Sequence, residues 1–164
     1  MPPRSLSLPQ LGREQIATRI PHARGMCLLD AVLESNADRI VCRASTHRTS
    51  DNPLRSRGRL SAVCGIEYAA QAMAVHGSLS DPDSVRPRMG FLASVRGVTT
   101  HVETLDDVAF DLSIEARRES GDNKVVVYAF TIREGDGSSG RLLLEGRATV
   151  ILDAVVPDFN EGAQ

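Results

Sequence analysis

Gly65-Ile66-Glu67-Tyr68-Ala69-Ala70-Gln71-Ala72-Met73-Ala74 is the stretch that decides the fold of this chain. It reads as a helix that is small and apolar on nearly every side, and such helices are normally buried. We predict a central helix over residues 61–77, with Ser61 as N-cap and Gly77 as the stop. The run carries one carboxylate, Glu67, and a buried carboxylate is costly unless it is paired or neutralised. Glu67 is therefore either a structural exception or a catalytic group in a dry site.

The length and charge of the chain limit the classes of protein it can be. Its 164 residues give one domain with a proper core and are too few for two large domains. The net charge of −2 gives no reason to expect nucleic acid or an anionic membrane as partner. The sequence contains no run of about 18 apolar residues, so we expect no membrane-spanning helix. The first residues contain no apolar stretch of signal-peptide length, so we expect a cytoplasmic protein.

The cysteines Cys27, Cys42 and Cys64 are odd in number and lack close metal-ligand spacing. We expect buried, reduced thiols, with neither disulfides nor a zinc site. Cys64 lies near the N-terminus of the predicted helix, where the pKa of a thiol can fall, so a nucleophilic Cys64 is the alternative. The sequence contains no Gly-rich phosphate loop with a lysine, and we expect no metal and no bound cofactor.

Turn residues divide the rest of the chain into short segments. Residues 1–10 are rich in proline and are expected to form a loose lead-in, and Thr49–Arg59 is expected to be a loop. Residues 107–117 alternate strictly between polar and apolar side chains, as in a strand with one buried face. The predicted elements are a short helix over 12–19, strands over 27–33 and 39–46, the central helix, and strands over 91–101, 107–117, 125–132 and 142–152.

This order predicts an α+β fold in which four antiparallel strands follow the helix as a meander. A long helix of small residues can approach a strongly curved antiparallel sheet closely, and this arrangement is the hotdog architecture. We therefore predict a single hotdog domain over residues 1–164, with the sheet wrapped around the helix.

Two motifs resemble the 3-hydroxyacyl-[acyl-carrier-protein] dehydratases, which have the hotdog fold. The first, Ile20-Pro21-His22 followed by an apolar pair, Asp30 and Val32, is similar to their Leu-Pro-His opening. The second, Gly65 to Ala74 preceded by Asn52-Pro53-Leu54, resembles a subgroup found with aryl polyene and other fatty-acid-like pathways. The resemblance covers about residues 18–78 and implies dehydration of a 3-hydroxyacyl thioester to the trans-2-enoyl thioester.

The sequence departs from this family at one position. Housekeeping members carry a catalytic His fourteen residues before the helix Glu, and this position is Pro53 here, in a loop without any His. His22 is then the candidate partner of Glu67 in acid–base catalysis. Two alternatives stay open: a thioesterase in which Glu67 attacks the thioester or activates water, and a non-catalytic partner subunit of an active dehydratase.

The helix and the resemblance together suggest further residues for substrate binding. The backbone amides of Cys64 and Gly65 lie at a helix N-terminus and could face the thioester oxygen. Gln71 follows the helix carboxylate by one turn and could hold it, or the substrate, by a hydrogen bond. The resemblance places Asn52 and Pro53 near the substrate.

Three arginines alternate in the loop before the helix, at Arg55, Arg57 and Arg59. We expect them either to be solvated or to contact the phosphate of phosphopantetheine or an acidic carrier protein. The remaining histidines are weaker candidates, because His47 would have to reach the site across a subunit boundary and His76 is predicted to point elsewhere.

The predicted partners are acyl carrier protein or acyl-CoA, with the substrate carried on phosphopantetheine, and at least one further hotdog subunit. An exposed sheet edge is a liability that pairing removes, and the resemblance implies active sites at the subunit interface. We expect a homodimer, a higher homo-oligomer, or a complex with a second hotdog chain.

Overall fold

The computed structural model describes residues 11–20, 26–80, 90–135 and 137–152. The strands are β1 (Leu11–Gly12), β2 (Ala31–Ser35), β3 (Arg39–Ala44), β4 (Gly90–Thr100), β5 (Leu112–Gly121), β6 (Val125–Glu134) and β7 (Leu142–Leu152), and the helices are α1 (Arg13–Ala17) and α2 (Gly65–Ser80). All strands pair antiparallel in one sheet of order β1-β2-β3-β5-β6-β7-β4. This confirms the predicted α+β architecture with one long helix. The predicted lead-in over residues 1–10 lies outside the described residues.

The central helix is longer than predicted at its C-terminal end. It begins through a 3₁₀ turn at Ala62–Cys64, and Ser61 precedes that turn without capping it by its side chain. It then passes Gly77 and ends at Ser80. The hydroxyls of Ser78 and Ser80 donate to helix carbonyls three and four residues earlier, so they support the last turn instead of stopping it.

Two strands begin later than predicted. Residues 26–30 form no strand, because side chains bond both backbone groups of Leu28, and β2 therefore starts at Ala31. The alternation over residues 107–111 does not form a strand. Asp107 pairs with Arg59 of the loop, Asp111 pairs with Arg48 of the 3₁₀ turn before the loop, and Phe110 is 64% exposed. From Leu112 onward the alternating residues do form a strand, and its apolar side chains Leu112, Ile114 and Ala116 are buried.

The prediction of a four-strand meander is wrong for its first strand. Strands β5, β6 and β7 do follow each other in the sheet, but β4 pairs with β7 and not with β5. β4 therefore forms one edge of the sheet, and most of its side chains are exposed. Within the described residues, no helix is long and apolar enough to span a membrane.

The N-terminus of α2 makes the closest approach to the sheet. A Cβ atom at Gly65 would lie 2.6 Å from Leu144 Cδ2 and 2.9 Å from Ile132 Cδ1, so only glycine fits there without movement. The next residues on this side of the helix, Tyr68 and Ala69, are fully buried. This packing against β6 and β7 fixes the position of the first helical turn, which carries Glu67.

Candidate functional site

Glu67 lies in the first turn of α2 at the wall of a large cavity. The cavity has a volume of about 580 Å³ and runs along α2 beneath strands β4, β6 and β7. Apolar side chains such as Met73, Phe91 and Val150 form much of its wall. The carboxylate is half-buried. A carboxylate beside an apolar cavity of this size is suited to acid–base chemistry on a bound apolar substrate.

Gln71 holds Glu67 in place. Its Nε2 donates to Glu67 Oε1 at 3.2 Å and to the Met26 carbonyl at 2.7 Å, while its Oε1 accepts from the Leu28 amide at 2.9 Å. Both amide hydrogens and the amide oxygen are therefore used, and the side chain is fully buried. Of the two roles proposed for Gln71, the geometry favours holding the carboxylate over binding substrate.

The amides proposed to face the thioester oxygen are engaged inside the chain. The Cys64 amide donates to the Ser61 carbonyl at 3.0 Å, and the Gly65 amide donates to the carbonyls of Ala62 and Val63. Burial raises the pKa of the Cys64 thiol, although a hydrogen bond with the backbone of Ser61 partly opposes this increase. The thiol form is favoured at neutral pH, which argues against a nucleophilic Cys64.

Asn52 belongs to a buried hydrogen-bond network under the loop. Its Nδ2 donates to the Tyr68 hydroxyl at 3.0 Å and to the Thr46 carbonyl at 2.9 Å. The Thr46 hydroxyl donates to the Leu28 carbonyl at 2.7 Å, so at 2.9 Å it must accept from Tyr68. Among the described residues that line the Glu67 cavity, neither Asn52 nor the exposed Pro53 occurs. The structure thus gives Asn52 a role in holding the loop.

The arginines of the loop are largely occupied by the chain itself. Arg55 donates to the carbonyls of Thr49 and Gly58 at 2.8 Å. Arg59 forms ion pairs with two aspartates of the segment before β5, at 3.0 and 2.6 Å. Arg57 lies exposed at the tip of the loop with a positive φ of 54°. Of the three cations, Arg57 is the one that points its charge to solvent.

Two of the candidate histidines are buried in the described structure, His47 and His76. His22 lies outside the described residues. His47 is fully buried, with Nε2 3.0 Å from the Val108 carbonyl, and burial lowers its pKa. His76 is also buried, but its Nδ1 lies 2.8 Å from the hydroxyl of Tyr128, a residue of the cavity wall. The expectation that His76 points away from Glu67 is correct for the helix face, yet His76 still contacts the cavity through Tyr128.

Sequence reasoning missed two polar residues of the cavity wall, Arg118 and Tyr128. Tyr128 occupies an inward position of β6, which the alternation of that strand could have shown. Arg118 continues the inward-facing positions Leu112, Ile114 and Ala116 of β5, and the bulge between Arg118 and Ser120 comes after it. Extending the alternation of β5 by one residue could have shown this position.

A scan against protein-family models matches residues 14–160 to the family described as ApeP-like, ApeP dehydratase. This chain belongs to the ApeP-like dehydratase family. The match covers the helix carboxylate, the loop and all strands from β2 to β7. No curated protein sequence matches the chain significantly.

Solved structures confirm the hotdog architecture. The dehydratase heterocomplex ApeI:P from Xenorhabdus doucetiae contains a chain with a TM-score of 0.73 and 22% identity, covering 84% of this chain and 90% of that one. A thioesterase from Haemophilus influenzae follows with a TM-score of 0.60 and 12% identity, covering 87% and 90%. Zebra fish thioesterase superfamily member 2 has a TM-score of 0.56 and 15% identity, covering 87% and 99%. At these identities the likeness shows the fold.

Proposed function

We propose that this member of the ApeP-like dehydratase family eliminates water from a 3-hydroxyacyl thioester on acyl carrier protein and releases the trans-2-enoyl thioester. The observation that carries the proposal is Glu67, a carboxylate at the wall of a large apolar cavity with one oxygen held by Gln71. Membership of a dehydratase family supports the reaction type.

The reaction needs two proton transfers. A base removes the proton α to the thioester carbonyl, the electron pair forms the C2–C3 double bond, and an acid protonates the β-hydroxyl, which leaves as water. We assign one of these steps to Glu67. The loop before the helix contains no His, and its Asn52 and Arg55 are bonded to the chain itself.

The second group must therefore come from elsewhere. His22 is our candidate within the chain, because Met26, four residues later, is bonded through its carbonyl to the Gln71 side chain that holds Glu67. A second hotdog chain is the other source, and the ApeI:P structure described as a dehydratase heterocomplex supports this arrangement. Either case makes Glu67 one half of a two-part site.

The test is mass spectrometry of a 3-hydroxyacyl-carrier protein after incubation with the purified full-length chain. We expect loss of one water from the acyl chain with wild type and with Glu145→Gln, a matched control on β7, and no loss with Glu67→Gln. Normal turnover by Glu67→Gln would refute the assignment. Loss of the whole acyl group would identify a thioesterase.

A second arm locates the proton-transfer partner. If His22 acts within the chain, His22→Gln should abolish turnover by the chain alone. If the wild-type chain is inactive alone and becomes active when co-expressed with a second, His-bearing hotdog chain, the partner residue comes from that subunit, and Glu67→Gln should then inactivate the complex.

A further inference from the structure

A polar cluster lies in the cavity wall at a distance from Glu67. Arg118 of β5 and Tyr128 of β6 are directly opposite in the register of the sheet, so their side chains share its inner face. Both line the cavity. His76 of α2 contacts Tyr128 edge-on, with ring centroids 5.6 Å apart. Because His76 follows Glu67 by nine residues, this cluster lies about 14 Å further along the helix axis. We call Arg118, Tyr128 and His76 the polar end of the cavity.

Hydrogen bonds fix the direction of the Tyr128 hydroxyl. His76 Nε2 lies 2.8 Å from the Asn36 carbonyl, which can only accept, so Nε2 carries the proton. Burial lowers the pKa of His76, the ring is neutral, and its Nδ1 must accept from the Tyr128 hydroxyl. Burial also raises the pKa of Tyr128 to about 12, so the phenol stays protonated. Towards a ligand, the Tyr128 oxygen can therefore act only as an acceptor.

Arg118 supplies the matching donor. Its side chain is half-buried on the inner face, and among the described residues it forms no ion pair. The Asp122 carboxylate also lines the cavity, and it accepts from the amides of Lys124 and Val125 at 2.7 and 2.9 Å. The polar end thus offers a charged donor in Arg118 and an acceptor in the Tyr128 oxygen.

The wall between Glu67 and the polar end is apolar, and most of its helix residues are small. On α2 it is formed by Ala70, Met73, Ala74 and Gly77. This part of the cavity suits an acyl chain that extends from a thioester at Glu67. A plain methyl end would leave the Arg118 guanidinium and the acceptor side of the Tyr128 oxygen unsatisfied in a partly dry site, which is unfavourable.

We propose that Arg118 and the His76-bound Tyr128 determine specificity by binding a hydroxyl group at the far end of the acyl chain. A hydroxyl donates to the Tyr128 oxygen and accepts from the Arg118 guanidinium, so it satisfies both. A carboxylate would satisfy Arg118 but has no proton to donate, so it would face the lone pair of the Tyr128 oxygen. This inference rests on the proposed function of the cavity as the acyl-binding part of the Glu67 site.

The test is equilibrium binding of pantetheine amides to the full-length chain, which needs no turnover. Three series of equal chain lengths end in methyl, hydroxyl or carboxylate. We expect the hydroxyl series to bind about tenfold more tightly than the methyl series. This preference should appear only at the chain length that spans the distance from Glu67 to His76. A preference that is equal at all lengths, or no preference at any length, would overturn the proposal.

Variants assign the preference to the two residues. Tyr128→Phe and Arg118→Leu should each remove most of the hydroxyl preference, because the hydroxyl series loses a hydrogen bond and the methyl series no longer leaves a polar group unsatisfied. Arg117→Leu is the matched control, because Arg117 is the neighbouring residue on β5 and pairs with Ala129 on the outer face. Equal loss in Arg118→Leu and Arg117→Leu would contradict the assignment.

The outcomes also separate this inference from the proposed function. Tight binding of methyl amides without a hydroxyl preference would refute the role of the polar end and leave the dehydratase proposal standing. Binding with the expected hydroxyl preference, but without water loss by the chain alone or with a second hotdog chain, would refute the dehydratase proposal and leave the polar end standing. Failure of every amide to bind would refute the polar end, and the mass-spectrometric assay would then decide the dehydratase proposal separately.

Discussion

At the scale of single residues, the hydroxyl of Tyr68 joins the loop to the helix that carries Glu67. It donates to Thr46 and accepts from Asn52, in a buried network that ends on the Leu28 carbonyl. Tyr68→Phe keeps the packing and removes both bonds. We expect the free energy of unfolding to fall by about 1–2 kcal/mol, measured by urea denaturation.

A double-mutant cycle tests this network directly. Tyr68→Phe and Thr46→Val should show a coupling energy well above the ~0.3–0.5 kcal/mol seen for independent sites. Tyr128→Phe combined with Thr46→Val is the control, since Tyr128 bonds to His76 and not to this network. Additive effects of the first pair would show that the hydrogen bond between Tyr68 and Thr46 contributes nothing to stability.

The same residues show which parts of the site could be predicted. Gln71 was predicted to hold either Glu67 or the substrate, because residues one helical turn apart point the same way, and this rule is local. Asn52 was predicted as a substrate contact, whereas its bonds to Tyr68 and Thr46 depend on how a loop folds over a helix. Arg118 lies on the same face as Ile114 and Ala116, and it was missed because the alternation was followed only as far as Arg117.

At the scale of elements, two glycines of α2 should respond in opposite ways to the same substitution. Gly65→Ala places a methyl group against Leu144 and Ile132, whereas a Cβ at Gly77 meets no atom within 4 Å. We expect Gly65→Ala to destabilise the fold by about 1–3 kcal/mol. Gly77→Ala should stabilise it by about 0.5–1 kcal/mol through helix propensity. Urea denaturation of both variants measures these changes in the free energy of unfolding. A stabilised Gly65→Ala variant would show that the side chains of Leu144 and Ile132 move aside at little cost.

The elements also show how far sequence patterns reach. The alternation over residues 112–117 predicted a half-buried strand correctly, but its polar start at Asp107 binds Arg59 and leaves the sheet. The edge position of β4 could not be read from its sequence, because it depends on pairing with β7, about fifty residues later in the chain. The alternation of polar and apolar residues is visible in a sequence, whereas the choice of neighbouring strand in the sheet is not.

At the scale of the whole molecule, stability should decrease as the pH falls below about 6.5. Burial lowers the pKa of both His47 and His76 from 6.5, so the unfolded chain takes up protons that the folded protein rejects. Above that pH, both histidines are neutral in the folded and the unfolded state, and the free energy of unfolding has its full value. Below it, each His lowers the free energy by up to about 1.4 kcal/mol per pH unit, until its folded-state pKa is reached.

Urea denaturation between about pH 7.5 and about pH 5, a range above most carboxylate titration, measures this loss. His76→Gln should reduce the slope, and His101→Gln, at an exposed position after β4, serves as the matched control. A flat profile over this range would mean that neither buried His stays neutral in the folded protein.

The last prediction concerns the open edge of the sheet. β4 is an eleven-residue edge strand with mostly exposed side chains, including Val98 at 36% exposure, whereas β1 at the other edge has two residues. A long exposed edge with apolar side chains favours pairing with another strand. We therefore expect β4 to pair with a second hotdog subunit, whether another copy or a different chain.

Val98→Lys should break this pairing, because a charge at the edge disfavours a neighbouring strand. Phe110→Lys is the control, since Phe110 is 64% exposed in a loop away from β4. Light scattering coupled to size exclusion should give a dimer for wild type and Phe110→Lys and a monomer for Val98→Lys. If the wild-type chain is monomeric alone and pairs through β4 only with a second hotdog chain, the edge is heterotypic. A dimer that survives Val98→Lys would place the interface elsewhere and refute pairing through β4.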